Sequence, residues 1–183
     1  MVRNRGIVMG YELFLAEVIR FYLGFILFAA AWGKSRTYAY FKQQLTESFR
    51  IPTVYSRMLA SGILALEWAL ALIILTTGHQ LAIIVAGGLF SLLSVVLLYR
   101  YLATGMIKCS CFGEKDRPVT DYDLLRNGLV IMAFMAFLCL DNPASEMALQ
   151  WLFFSASLAV LLVLITINLS DIMLQLIDMA EGR

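Results

Sequence analysis

Residues 58–102 read MLASGILALEWALALIILTTGHQLAIIVAGGLFSLLSVVLLYRYL. Two apolar runs, 58–77 and 81–102, each have the length of about 20 residues that a helix rising about 1.5 Å per residue needs to cross the hydrocarbon of a bilayer. Only Gly78-His79-Gln80 separates them, a turn too short for anything but an antiparallel helical hairpin. In hydrocarbon, backbone groups must be satisfied within the segment, so paired runs of this kind read as spanning helices.

Three further runs follow the same rule, at 11–32, 124–140 and 147–169. The last two are joined through Asp141-Asn142-Pro143, where Pro143 suits the first turn of the next helix. The composition agrees, with 61% hydrophobic and 15% charged residues in a chain of 183, far from the roughly half-apolar, quarter-charged soluble mix. The expected fold is therefore an all-α integral membrane bundle of about five spans, one domain over residues 1–183. A formal net charge of +1 and a single histidine argue against nucleic acid as a partner and against histidine-based metal chemistry. Arg3 and Arg5 precede the first run as in a secretory signal, but the run is long and interrupted by Glu17 and Arg20, and it reads as a retained helix.

With five alternating spans, the two longer connections, 33–57 and 103–123, fall on one face. The first carries Tyr38, Phe41, Leu45 and Phe49 on one side of a helix and Lys42, Gln43, Gln44 and Glu47 on the other. This pattern predicts an amphipathic interfacial helix over about 36–49, ended by Pro52. In the second connection, Asp121 or Asp123 is placed to cap the fourth span. Basic residues concentrate on this face (Lys34, Arg36, Lys42, Arg50, Arg57, Arg100, Lys108, Lys115 and Arg117) against Arg3 and Arg5 on the other. The positive-inside rule thus puts the N-terminus outside and the 103–123 loop in the cytoplasm.

That loop holds the most distinctive chemistry, Cys109-Ser110-Cys111-Phe112-Gly113. Two cysteines one residue apart close a small ring in which good torsion and Cα separation are hard to satisfy together. The bond is easily reduced and stabilises little, which suits exchange better than stapling. Lys108 beside Cys109, with Lys34 and Arg36 on the same face, favours the thiolate, while Glu114 and Asp116 oppose it. Two plainer readings stand beside this one: inert small residues, or half of a zinc site. Zinc wants four ligands, and His79 and Cys139 are predicted near the opposite face. Cys139 reads as a packed helix residue.

Glu17, Arg20 and Glu67 lie within spans, where a partner or a wet cavity is expected. Glu17 and Arg20, three apart, are neighbours on one helical face, and an antiparallel second span brings Glu67 within reach of Arg20. Such a group locks two helices together, or forms a site for protons or a quinone headgroup that takes electrons from the cysteines. Quinone is the one cofactor the chemistry suggests.

The Cys-Ser-Cys-Phe-Gly string after a third span, followed by a polar loop and Leu125-Arg126-Asn127 opening the next helix, resembles the MauE family of methylamine utilisation membrane proteins, relatives of the DoxX-like proteins. Arg20, Lys34, the Phe41 to Pro52 segment and Glu67 fit the same pattern; Ser110 departs from it, since glycine often stands there in the family. The resemblance implies a DoxX-like four-helix core plus one in the bacterial cytoplasmic (inner) membrane. It also implies a role with a thioredoxin-like, MauD-type partner in maturing periplasmic disulfide-containing proteins such as methylamine dehydrogenase. A periplasmic role and the charge count point to opposite sides for the loop.

Three functions follow. The first is a thiol–disulfide relay, an oxidoreductase, with Cys109 and Cys111 catalytic, Lys108 and Lys34 tuning the thiolate, and Phe112 and Gly113 completing the motif. The second is a non-catalytic docking or assembly subunit, and the third a small carrier using Glu67 and Arg20.

Overall fold

The computed structural model describes residues 2–49, 52–104, 120–140 and 149–180. Its elements are helices throughout: α1 (Val2–Arg36), α2 (Tyr38–Phe49), α3 (Thr53–Thr77), α4 (Gln80–Thr104), α5 (Asp121–Cys139), α6 (Leu149–Ile167) and α7 (Leu169–Ala180). Five contain stretches long and apolar enough to cross a membrane, Tyr11–Arg36, Tyr55–Thr77, Gln80–Ala103, Asp121–Cys139 and Gln150–Ile167. The chain is a multi-pass membrane protein. The large apolar side chains left on the outside, such as Leu92 and Val95 of α4 and Phe153 and Phe154 of α6, are what lipid contact requires.

α1 is the central element, packed most extensively on α3 and α6. Leu23, Ile26 and Leu27 of α1 are fully buried with Ile74 of α3, Ile83 of α4 and Val130 of α5. Gly24 permits the close approach of α1 to α3, because a Cβ there would stand 2.6 Å from Leu75 Cδ2. The α3–α4 hairpin turns at Gly78, whose φ of 62° is the left-handed conformation that glycine adopts at least cost. Its N–H donates to the carbonyls of Ile73 and Ile74 at 3.3 and 3.2 Å, closing the end of α3.

Several boundaries differ from the sequence reading. α1 runs on to Arg36 instead of stopping at 32, because Lys34 is paired inside the bundle and does not mark a helix end. α2 follows almost without interruption, since Thr37 N donates to Gly33 O at 3.2 Å and Phe41 N to Thr37 O at 3.0 Å. The apolar side of α2 packs on α3, where Phe41, Leu45 and Ala60 form a second small core. The C-terminal α7, unassigned from sequence, continues from α6 through Asn168, with Ile172 N donating to Asn168 O at 2.9 Å. Cys139, expected to be packed, is exposed. Phe134 and Phe137 take the buried side of α5, and two residues beyond Phe137 the helix has turned about 200° away.

Candidate functional site

The site is built at the face where α1 passes to α2 and α4 to α5. Two ties hold this face: Arg100 Nη2 donates to Glu47 O at 3.3 Å, joining α4 to α2, and Tyr101 donates to Asp121 Oδ1 at 2.7 Å, joining α4 to α5. α5 begins with its own start signal, since Asp123 Oδ2 accepts from Thr120 N at 2.9 Å and from Thr120 Oγ1 at 3.0 Å. The capping partner is thus Thr120 together with the Asp123 named from sequence, a reciprocal pairing that the carboxylate completes. The other oxygen of Asp123 faces Arg126 Nη1 at 3.4 Å, and both residues are buried, as is Asn127.

Cys109, Cys111, Lys108, Phe112 and Gly113 lie outside the described residues. Chain connectivity tethers them to this face: Cys109 is five residues beyond Thr104, so it stays within about 18 Å of the end of α4 at about 3.5 Å per residue.

The buried charges assort differently from expectation. Glu67 does not meet Arg20; it accepts from Lys34 Nζ at 2.6 Å, with the two side chains 2% and 5% exposed. Antiparallel packing explains the exchange. Arg20 lies 14 residues from Lys34 along α1, about 21 Å at the helical rise, and so stands beside the far end of α3. There its guanidinium donates to Ile74 O and Leu75 O at 3.1 and 3.2 Å and pairs with Glu17 at 2.7 Å. The Glu17–Arg20 neighbour relation holds as read. Arg20 is a C-terminal cap, a cation on the negative end of a helix dipole, and belongs to the architecture of the hairpin. Lys34, read as a thiolate-tuning cation just past the helix end, has its charge committed to Glu67. One oxygen, Glu67 Oε2, is buried with no hydrogen-bond partner among the described residues, as is Asn127 Oδ1.

Beside the Lys34–Glu67 pair stands an aromatic group on the outer seam of α1 and α3. Trp68 Nε1 donates to Ser35 Oγ at 3.2 Å, and the Trp68 ring meets Phe28 and Trp32 edge-on at 4.9 and 6.4 Å. On the other side, the Phe41 ring of α2 lies 5.8 Å from Lys34 Nζ.

A family model described as methylamine utilisation protein MauE matches residues 12–141, which includes the first four spans, α2 and the cysteine segment. The chain belongs to the MauE family. No curated protein and no solved structure matches it. Within this MauE-family chain, sequence reasoning found Glu67 and Lys34 but not their pairing, and it passed over the Asp123–Arg126 pair. Arg126 carries the same signal as Arg20, an ionisable residue inside a span, and enters the sequence reading only as part of a motif.

Proposed function

We propose that this MauE-family membrane protein is a thiol–disulfide relay of the bacterial cytoplasmic membrane, with Cys109 and Cys111 as its exchanging pair. The observation that carries the reading is the Cys109-Ser110-Cys111-Phe112-Gly113 string in a segment tethered between α4 and α5, whose ends are held by Tyr101–Asp121 and the Thr120–Asp123 cap. A labile dithiol needs a fixed base and an accessible position, and the ties of α2, α4 and α5 supply the base.

In the exchange, the thiolate of one cysteine attacks a sulfur of a partner's disulfide and releases one partner thiolate, forming a mixed disulfide. The second cysteine then attacks the first, closes the 109–111 bond and frees the partner reduced; the reverse sequence oxidises the partner. Lys108, adjoining Cys109, favours the thiolate. Phe112 and Gly113 follow the pair in the sequence and complete the motif. The partner is a thioredoxin-like protein of the MauD type, and the final substrate a periplasmic protein with disulfides. Arg20 and Glu17 hold the α3–α4 turn, and Lys34 and Glu67 lock α1 to α3.

Single Cys109→Ser and Cys111→Ser variants test this. One of them traps a mixed disulfide with a thioredoxin-like partner on non-reducing gels, and the double variant traps none. Equal trapping by the double variant overturns the relay.

A further inference from the structure

On the outer seam of α1 and α3, Phe28, Trp32 and Trp68 form one mutually packed group. Phe28 and Trp32 stack with ring centroids 6.5 Å apart, and Trp68 meets both edge-on. Phe28 and Trp32 stay 37% and 53% exposed although α1 is the central helix, so the group is open to lipid. Arg36 follows Trp32 by four residues and continues the same side of α1. Arg57 precedes Trp68 by eleven residues, about three whole turns, and continues the same side of α3. Tyr38 ties the two arginines together, since it lies two residues beyond Arg36 and its hydroxyl donates to Arg57 O at 3.3 Å. Both arginines are exposed, and neither has an ion-pair partner among the described residues. The carboxylate beside the rings, Glu67, is held by Lys34.

Depth sorts these groups. Arg36 ends the first spanning stretch and Arg57 stands near the start of the second, so both cations belong at the headgroup level of one face, where lipid phosphates lie. Trp32 and Phe28 stand about 6 and 12 Å deeper at the helical rise, level with the glycerol and the first methylenes. We infer that this seam is a site for one anionic phospholipid, with its phosphate between Arg36 and Arg57 and an acyl chain laid on the three rings. Guanidinium forks match phosphate oxygens in pairs, and a lipid of no net charge would leave both cations uncompensated. Unconnected interfacial aromatics and surface arginines would anchor the helices without a stoichiometry; rings in mutual contact beneath two arginines tied by one tyrosine make a single site. A second copy docked on the same seam would bring four arginines to one place, which charge repulsion opposes. The inference is independent of the relay, since it needs neither cysteine and holds for either orientation of the chain.

The test is native mass spectrometry of the full chain in detergent, titrated with phosphatidylglycerol or with phosphatidylcholine carrying the same acyl chains. One phosphatidylglycerol per chain is expected to bind, preferred over phosphatidylcholine by about thirtyfold, the effect of two cations at about 1 kcal/mol each. Arg36→Gln/Arg57→Gln is expected to erase that preference. Arg3→Gln/Arg5→Gln, which removes the same charge at the opposite end of α1, is expected to keep it. Trp32→Leu should weaken both lipids severalfold and leave their ratio unchanged. Equal binding of the two lipids by the unaltered chain overturns the site, as does a preference lost equally in the Arg3/Arg5 variant, whether or not Arg36→Gln/Arg57→Gln folds. Displacement of the lipid by inorganic phosphate also overturns it, marking an anion site that takes no lipid. So does a dimer that added lipid leaves intact and Trp32→Leu abolishes, which would make the seam an interface between copies.

Discussion

Lys34 and Glu67 show what a single pair decides in a bilayer. Two ionised groups removed from water cost several kcal/mol each, and their attraction offsets this only with close geometry; the 2.6 Å contact supplies it. Removing one partner strands the other charge. Lys34→Met is expected to destabilise the protein by about 3–5 kcal/mol, seen as a large fall in the midpoint of thermal unfolding in detergent. The double variant Lys34→Met/Glu67→Leu is expected to recover most of that loss. If the double variant is no better than the single one, the pair is not the source of the cost and the Glu67 carboxylate has another task. Arg20 behaves differently, because its partners are the carbonyls of Ile74 and Leu75 and the nearby Glu17. Arg20→Lys keeps the charge but not the fork that reaches two carbonyls, and a loss of about 1 kcal/mol by the same measurement is expected. A loss as large as that of Lys34→Met would place Arg20 in a tighter network than its geometry shows.

The α3–α4 hairpin is the element on which the fold reading rested, and its turn was legible because length and glycine position both pointed the same way. At Gly78 a side chain meets two penalties, a φ of 62° and Arg20 Cδ at 2.6 Å from the position of a Cβ. Gly78→Val is therefore expected to cost about 2 kcal/mol or more, read as a lower unfolding midpoint. Gly62→Val, at a helical site with open space around it, serves as the reference and is expected to change the midpoint far less. Equal effects at the two sites would deny the turn its role. The spans were legible for the reason the hairpin was: hydrocarbon thickness fixes their length, and apolar composition announces them. Which charges meet was not, because partner choice depends on how far antiparallel helices slide past one another, and 14 residues separate the rival cations Arg20 and Lys34 on one helix. α7 escaped notice because it follows α6 with only Asn168 between, and a spanning run that passes into an amphipathic one shows no break in apolar content. Its apolar residues Leu169, Ile172, Met173, Leu176 and Ile177 keep helical spacing, with Asp171, Gln175 and Asp178 on the other side; that periodicity was the available signal.

At the scale of the molecule, the question is which side of the membrane the 103–123 connection faces. Raw counting of lysine and arginine favours the cytoplasm. In the folded bundle Lys34 is paired with Glu67, while Arg100 keeps its charge and donates to the neutral carbonyl of Glu47. Arg36 and Arg57 remain exposed, and the rule is read during insertion, before tertiary pairs exist. A relay serving a periplasmic partner requires the cysteine segment outside. In intact cells, a membrane-impermeant maleimide applied after mild reduction is accordingly expected to label Cys109 and Cys111, with labelling blocked by prior oxidation. Cys139→Ser removes the third cysteine, at the opposite end of α5, and should leave this labelling unchanged. Labelling that needs permeabilised cells would put the loop in the cytoplasm, overturn the periplasmic partner, and require any electrons bound for the outer face to cross the bilayer by another carrier.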